Sequence, residues 1–309
     1  MRALVFDHFG SADVLHVAEV PEPAAGPGQV RVRVAAAGIN PVDWKIRSGA
    51  SAAFHEVAFP AITGLDVAGV VDSVGDGVTA WRAGDEVFGV ADGGAVAEYA
   101  VIAHPARKPA EMGWTTAAAL PSVTETGLRA VDLLGVQDGE VVVVNGAAGG
   151  VGLAASQFAI ARGATVVGTA SEANHEALRA LGIRPVSYGE GLSERVRGAH
   201  PQVDRALDAA GHDALPALLA LVDGNAGRVI TVADGTAAQL GIRFTTGAER
   251  RYWEALPLAA DLATSGRFSM PLARTFTIDE GADAHRASET GHVLGKFVFD
   301  LARQPTHDR

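Results

Sequence analysis

Residues 141–152, VVVVNGAAGGVG, place a glycine-rich turn directly after a run of valines. An apolar segment with helical spacing follows, LAASQFAIARG. The spacing A-x-G-x-x-G, with Ala147 where the dinucleotide fingerprint has its first glycine, is typical of a strand-to-helix turn that binds a pyrophosphate. The helix N-terminus would add unpaired N–H groups and a positive dipole end. We therefore predict that a dinucleotide is bound by Gly146, Ala147, Ala148, Gly149, Gly150, Val151 and Gly152. No GK[ST] follows these glycines, which excludes a nucleoside triphosphatase loop.

The next predicted strand, TVVGTAS, indicates which dinucleotide binds. It ends at Ser171, where an NAD site carries an acid for the ribose hydroxyls. A serine tolerates a 2′-phosphate, which an acid would repel. His175 lies about one helical turn further on, and Tyr188 follows another predicted strand, so these three side chains are predicted to surround the 2′-phosphate of NADPH. Glu172, next to Ser171, is an acid of the kind that binds the ribose hydroxyls of NAD, so NAD stays an alternative cofactor. Ser171 is equally suited to cap a helix.

The elements around this turn predict an α/β protein. From Trp114 onward, short apolar strands alternate with amphipathic helices, which is typical of a doubly wound parallel sheet of the Rossmann type. Before it, VRVRVAA alternates apolar and charged residues, and further short strands separated by turns predict a compact β-rich domain. Short strands return in LARTFTI and KFVFDL, which predicts that the β-rich domain is discontinuous.

Composition excludes several classes of partner. The net charge of −11 argues against nucleic acid, and the absence of cysteine excludes disulfides and thiolate metal ligands. No apolar run is long enough to span a bilayer, and the N-terminus, MRALVFDHFG, is not signal-like. We expect a cytoplasmic protein that acts on a small molecule.

Ordered motifs over nearly the whole chain resemble those of the medium-chain dehydrogenase/reductase superfamily, in its zinc-free quinone oxidoreductase (zeta-crystallin-like) branch. The resemblance implies a GroES-like substrate domain over residues 1–117 and 266–309 and a Rossmann domain over 118–265. It also implies a homodimer. The motifs are AAGINPVDWKIRSG (36–49), PAITGLDVAGVVDSVGDGV (60–78), GDEVFG (84–89), ALPSVTETGLRAV (119–131), VVVNGAAGGVG (142–152) and GHVLGKFVF (291–299).

The resemblance also bears on zinc. Zinc-dependent relatives carry a cysteine and a histidine–glutamate pair where this chain has Asn40 and Leu65–Asp66, and they have a four-cysteine lobe. We therefore predict that no metal is bound. Without a Lewis acid, the expected reaction is hydride transfer from NADPH to an acceptor that needs little activation. A quinone and the β-carbon of an α,β-unsaturated carbonyl both meet this condition.

The segment INPVDWK holds the candidate catalytic residues. The resemblance places Asn40 near the nicotinamide, where its amide would donate a hydrogen bond, and Lys45 would bind a carbonyl or protonate an enolate. Many quinone oxidoreductases have a tyrosine at the position of Lys45, which keeps enone reduction open. Asn40 before Pro41 is also a natural turn residue, and Lys45 is also explained as a solvated surface amine.

Further cofactor contacts are implied by the resemblance. Thr124 falls where the family contacts the nicotinamide ribose and phosphates, and Thr231, Val232 and Ala233 follow a strand near the nicotinamide. Lys296 matches a family lysine near the cofactor, although a strand-end surface charge explains it as well. Two other functions stay open: a specialised reductase for one biosynthetic intermediate, and an NADPH-binding protein with little turnover.

Overall fold

The computed structural model describes residues 1–52, 56–291 and 293–302. His292 of the GHVLGKFVF motif and the last residues of the predicted 266–309 segment lie outside these ranges. The strands are β1 Arg2–Phe6, β2 His16–Glu19, β3 Val30–Ile39, β4 Ala61–Ile62, β5 Asp66–Val74, β6 Glu86–Val90, β7 Tyr99–Ile102, β8 Ala106–Arg107, β9 Val141–Asn145, β10 Thr165–Thr169, β11 Arg184–Val186, β12 Arg205–Asp208, β13 Val229–Thr231, β14 Arg243–Phe244, β15 Leu272–Phe276 and β16 Lys296–Asp300. The α-helices are α1 Pro41–Ser48, α2 Trp114–Ala118, α3 Pro121–Leu134, α4 Gly150–Ala161, α5 His175–Ala180, α6 Leu192–Ala199, α7 Leu215–Leu221, α8 Ala255–Thr264 and α9 Gly281–Thr290.

The described residues form two compact units. The first comprises residues 1–122, 271–291 and 296–302, and the second comprises residues 123–270 and 293–295. Each unit has its own buried apolar cluster, the first built mainly from strands β1, β3, β5 and β6 and the second mainly from strands β9, β10, β12 and β13 with helices α6 and α7.

The second unit is built on a parallel sheet with the strand order β11-β10-β9-β12-β13-β14. Counted from β9, this order is 3-2-1-4-5-6, which is the Rossmann order. All residues of β9 are buried, as its apolar sequence predicts. The predicted Rossmann fold is confirmed, and the order reverses between β9 and β12, where such sheets bind their ligands at the carboxyl ends of the strands.

The first unit is built on largely antiparallel sheets, as predicted for its β-rich sequence. One has the order β2-β1-β4, and the other has the order β15-β16-β3-β5-β6-β8 with β7 also paired to β3. In β3, Val30, Val32 and Val34 are buried while Arg33 is exposed, because successive side chains point to opposite faces of a sheet.

The end of β3 lies between two other strands. Gly38 is paired with Asp66 of β5, and Ile39 is paired with Phe297 of β16. Asp66 and Lys296, the first residues of β5 and β16, are therefore brought to the point where β3 ends and α1 begins. Among the described residues, no helix has the length and apolar composition needed to cross a membrane.

Candidate active site

The glycine-rich turn links the end of β9 to α4. Gly146 has a φ of +78°, and a Cβ there would lie 2.6 Å from the Cβ of Ala210. A Cβ on Gly152 would lie 2.1 Å from the carbonyl oxygen of Gly146, whereas a Cβ on Gly149 would meet that oxygen at 3.5 Å and nothing closer. The turn is thus closed against the protein and open at Gly149, beside the N-terminus of α4. This shape fits the pyrophosphate of a dinucleotide.

The alanine at the first fingerprint position packs against a glycine of the neighbouring strand. Ala147 is fully buried, and a Cβ on Gly168 of β10 would lie only 2.5 Å from the Cβ of Ala147. The methyl group of Ala147 fits because Gly168, which lies opposite it in β10, has no side chain. Ala148 is buried and accepts a hydrogen bond from Gly295 N at 2.9 Å, and Gly150 and Val151 are half-buried in the first turn of α4.

The residues predicted to contact the 2′-phosphate lie at the ends of two neighbouring strands. Ser171 follows β10, and its Oγ accepts a hydrogen bond from Asn174 Nδ2 at 3.3 Å. His175 Nε2 lies 3.3 Å from the carbonyl oxygen of Ala170, so its ring stays close to Ser171. Tyr188 follows β11, and it is 49% exposed.

The segment that carries Tyr188 is held by Arg195 of α6. The guanidinium donates to the carbonyl oxygens of residues 187–190 over distances of 2.7–3.2 Å. Ala170 N also donates to Val186 O at 3.0 Å, which keeps the ends of β10 and β11 together. Ser171 and Tyr188 are therefore at the same edge of the sheet, whereas the contacts of a bound phosphate with them stay a prediction.

Other predicted cofactor residues lie at the end of β13 and in α3. Thr231 is fully buried, Val232 is half-buried and donates its N–H to Asp208 O at 3.0 Å, and Ala233 is exposed. Thr124 is fully buried in α3. In the sheet, β12 lies between β9 and β13. The residues at the end of β13 are therefore separated from the glycine-rich turn by the end of β12.

A buried polar cluster in the first unit contains Asn40, Asp66 and Lys296, each at most 4% exposed. Asn40 Nδ2 donates to Asp66 Oδ2 at 2.9 Å, and Lys296 Nζ donates to Asn40 Oδ1 and, at 2.8 Å, to the carbonyl oxygen of Ile39. Lys296 Nζ also lies 3.6 Å from Asp66 Oδ2. Asp66 Oδ1 accepts hydrogen bonds from the backbone N (3.0 Å) and the hydroxyl of Ser122.

This cluster fixes the side chains of two predicted site residues. A lysine ammonium only donates, so Asn40 must present its carbonyl oxygen to Lys296 and its NH2 group to Asp66. One amide hydrogen of Asn40 is used by Asp66, and the other is the donor that remains. Lys296 therefore donates to two oxygens of its own unit and forms an ion pair with a third, Asp66 Oδ2. Burial lowers the pKa of Lys296, and the negative charge of Asp66 opposes this shift.

Lys45, the other predicted catalytic residue, differs from Asn40 in its surroundings. It is exposed on α1, and its Nζ lies 5.6 Å from the centre of the adjacent Trp44 ring. Asn40 directly precedes α1, so both residues belong to the same short segment but only Lys45 is in contact with solvent.

Asp43 sits in the first turn of α1, where one of its oxygens lacks a partner. Oδ2 accepts a hydrogen bond from Asn40 N at 2.7 Å, whereas Oδ1 is buried without one. Burial raises the pKa of the Asp43 carboxyl to about 7, and the nearby charge of Asp66 acts in the same direction. The hydrogen bond from Asn40 N opposes the shift.

The raised pKa of Asp43 predicts a pH-dependent stability. The unfolded carboxyl titrates near pH 4 and the folded one near 7, so folding is favoured by the protonated form and loses this contribution as pH rises through that window. We expect Asp43→Asn to lie close to the wild-type free energy of unfolding below pH 4, where the amide replaces a neutral carboxyl, and to exceed it by about 4 kcal/mol at pH 8. The full linkage is gained because the amide does not titrate, so only the wild type loses stability as pH rises. Urea unfolding across this pH range measures it, and a constant difference between the two proteins would contradict the assigned cause.

The residues at the positions of zinc ligands do not fit a zinc ion. Asn40 and Asp66 are paired with each other and with the ammonium of Lys296, which occupies the place of a cation. The chain has no cysteine, and no group of three or more histidine, aspartate or glutamate side chains within the described ranges is arranged to hold a metal.

Asn145 and Thr169 end the strands β9 and β10, both are buried, and neither was predicted from the sequence. Asp208, also buried, ends β12, and the segment LDAAG predicts it at the carboxyl end of a parallel strand, where ligands bind. A polar residue that closes an apolar strand is a detectable signal, because the carboxyl ends of parallel strands meet at one edge. The pairing of Asp66 with Asn40 and Lys296 has no local sequence signal.

Comparison with known proteins gives consistent matches. The family models of the alcohol dehydrogenase GroES-like domain and of zinc-binding dehydrogenase match residues 26–111 and 181–299. The chain is 31% identical to a 2-methylene-furan-3-one reductase of Solanum lycopersicum over 97% of this chain and 79% of that protein. It is 30% identical to a chloroplast envelope quinone oxidoreductase homolog of Arabidopsis thaliana, over 97% and 98% of the two chains. The solved structure of the quinone oxidoreductase from Coxiella burnetii has a TM-score of 0.85 and 30% identity, covering 97% of this chain and 99% of that one.

Proposed function

The chain is an oxidoreductase of the medium-chain dehydrogenase/reductase superfamily, in its quinone oxidoreductase branch, and on this premise we propose an NADPH-dependent, zinc-independent reductase. Its acceptor is a quinone or the β-carbon of an α,β-unsaturated carbonyl. The observation that carries the proposal is the glycine-rich turn, which is closed behind Gly152 and open at Gly149 beside a helix N-terminus. The names of two similar proteins, a quinone oxidoreductase and a furanone reductase, support the acceptor classes.

The choice of NADPH rests on the end of β10. Ser171 stands there in place of the ribose-binding acid, and Glu172 is exposed in the following turn. A 2′-phosphate at this place would meet no negative charge on the side chains of Ser171, His175 and the half-exposed Tyr188. NADPH is therefore favoured over NADH.

The reaction requires one hydride and one proton. When bound, the reduced cofactor supplies the hydride, which carries both electrons. In an enone the hydride adds to the β-carbon, the electron pair of the C=C bond moves toward the carbonyl oxygen, and a proton completes the α-carbon. In a quinone the same hydride, with its two electrons, and one proton give the hydroquinone. The chain must therefore stabilise a developing oxyanion and deliver a proton.

Lys45 and Asn40 have different parts in this proposal. Lys45 is exposed, so its ammonium can give a proton to the reduced acceptor and be reprotonated from solvent. Asn40 is held with one amide hydrogen on Asp66 and its oxygen on Lys296, which leaves one fixed donor for the acceptor's carbonyl oxygen. A fixed donor costs no reorganisation when negative charge develops.

The first test is oxidation of NADPH and of NADH by the purified protein with p-benzoquinone, phenanthrenequinone and an alkyl vinyl ketone. We expect turnover with NADPH, and the preferred acceptor separates quinone from enone reduction. Faster turnover with NADH would overturn the assignment of Ser171, His175 and Tyr188. Tight NADPH binding without turnover on any acceptor would favour a specialised reductase or a binding protein.

The same assay tests Lys45 with a matched pair of variants. Lys45→Met removes the charge and the proton, whereas Lys45→Arg keeps the charge and the donor hydrogens but does not release a proton. We expect both to lower kcat about a hundredfold with an unchanged Kd for NADPH. If Lys45→Arg keeps wild-type activity, the lysine is a hydrogen-bond donor and the proton comes from elsewhere.

A further inference from the structure

A continuous chain of hydrogen bonds runs across the carboxyl edge of the parallel sheet in the second unit. It joins Thr169 of β10, Asn145 of β9, Asp208 of β12 and Thr231 of β13. The bonds between these side chains measure 2.7–2.8 Å, and each residue is at most 5% exposed. The chain thus crosses the position where the strand order reverses.

On one side, the direction of these bonds is fixed by the backbone of the glycine-rich turn. Gly146 N donates to Thr169 Oγ1 at 2.9 Å, so the single hydroxyl hydrogen of Thr169 is free to point to Asn145 Oδ1. Asn145 must then present its NH2 group to the other side, where it donates to Asp208 Oδ1 and, at 3.3 Å, to Gly211 O.

On the other side, the direction is set by the turn after β13. Ala233 N and Asp234 N both donate to Thr231 Oγ1 at 3.0 Å. The hydroxyl hydrogen of Thr231 is therefore directed at Asp208 Oδ2. Every hydrogen in the chain points toward Asp208, which is the terminal acceptor from both sides.

Asp208 is consequently held as an ionised carboxylate without a cation. Its Oδ1 also accepts bonds from Ala210 N at 3.1 Å and Gly211 N at 2.8 Å, so both oxygens face only donors. An ionised carboxylate only accepts, which suits this surrounding. Asp208 is 0% exposed, and none of the ion pairs among the described residues includes it. Its negative charge is neither screened by solvent nor paired.

With this sheet order, a bound dinucleotide would have its nicotinamide half on the side of Asp208. In the Rossmann arrangement the pyrophosphate lies at the turn after the first strand, here β9, and the adenosine ribose lies at the end of the second, here β10. The other half of a bound cofactor would extend across the reversal of strand order, toward the ends of β12 and β13. Asp208 and Thr231 are the last residues of these two strands.

We propose that the Asp208 carboxylate sets the preference of this site for the oxidised over the reduced cofactor. The nicotinamide ring is positively charged when oxidised and neutral when reduced, so a fixed negative charge stabilises the oxidised form selectively. Positive charge also develops on the ring as hydride leaves, and the same interaction would assist that step. This inference rests on the proposed function, because it requires a nicotinamide cofactor in the crevice.

The test compares the dissociation constants of NADP⁺ and NADPH by calorimetric titration. Asp208→Asn alone sets amide hydrogens against either the Thr231 hydroxyl or the N–H groups of Ala210 and Gly211, so this variant is expected to fold poorly. The double variant Asp208→Asn/Thr231→Ala removes the charge and that conflict together. Thr231→Ala alone is the matched control, because it loses the same hydroxyl and keeps the charge.

We expect Thr231→Ala to weaken both cofactors to a similar extent, with the ratio of Kd for NADP⁺ to Kd for NADPH near that of the wild type. In the double variant the ratio should rise about tenfold, because only the oxidised form loses a charge interaction. The same ratio is measured with NAD⁺ and NADH, which makes it independent of the 2′-phosphate.

The outcomes separate this inference from the proposed function. If the wild-type protein binds no nicotinamide dinucleotide, the proposed function fails, and the role of Asp208 falls with it. If the wild type binds both forms and the double variant has the same ratio as Thr231→Ala, only the role of Asp208 is overturned. Comparison of melting temperatures shows that both variants are folded when the ratio is measured.

Discussion

Gly149→Ala is expected to keep the fold and lose dinucleotide binding. Gly149 has a φ of −74° and a ψ of 160°, which alanine adopts readily, and the nearest atom to an added Cβ is 3.5 Å away. The methyl group would instead project into the space where a pyrophosphate approaches the backbone. We expect an unchanged melting temperature and a Kd for NADPH raised about a hundredfold, since the charge-assisted bonds to the turn would lengthen.

Gly152→Ala is the matched variant, and the opposite result is expected. An added Cβ would lie 2.1 Å from the oxygen of Gly146 and 2.9 Å from Cα of Ala147, and neither atom belongs to a flexible side chain. Relief requires α4 to move away from β9, so we expect a loss of about 3 kcal/mol or more in the free energy of unfolding. Thermal unfolding and NADPH titration of both variants measure the pair. Wild-type affinity in Gly149→Ala would mean that the phosphates bind elsewhere.

The sequence was sufficient to predict the Rossmann unit because its signals are local. Fully apolar strands such as VVVVN, a glycine turn and an apolar helix define one strand–helix unit, and their repetition predicts a parallel sheet. The structure confirms this sheet. The polar residues that end β9, β12 and β13 are visible in the sequence in the same way, but their contacts depend on which strands are neighbours, and no local motif specifies that.

The buried cluster at the end of β3 was not predictable by the same means. Asn40 and Asp66 are 26 residues apart, and Asn40 and Lys296 are 256 residues apart. They meet because β3 pairs with β5 on one side and with β16 on the other, in a register that places Asp66 opposite Gly38. From the sequence, Lys296 was equally explained as a cofactor ligand or as a strand-end surface charge. Register in an antiparallel sheet is set by many pairings together, and no single motif contains it.

Lys296→Met is expected to lower the free energy of unfolding by about 3–5 kcal/mol. The ammonium is buried between Asp66, the Asn40 carbonyl oxygen and Ile39 O, and its removal leaves the carboxylate of Asp66 without a cation. Breaking a buried ion pair from one side costs more than replacing both members, because the remaining charge stays buried. Urea unfolding of the purified variant measures the loss.

The double variant Lys296→Met/Asp66→Asn distinguishes this explanation from a loss of packing. With the lysine gone, the Asn40 amide can turn over and present its oxygen to the new amide at 66, so a large part of the lost free energy should return. A double variant less stable than Lys296→Met alone would contradict the ion-pair explanation.

The same two proteins test whether Lys296 contacts the cofactor. Since its ammonium is buried, hydrogen-bonded and ion-paired within the cluster, we expect NADPH affinity to recover together with stability. Restored stability without restored affinity would instead assign Lys296 a direct contact with the cofactor.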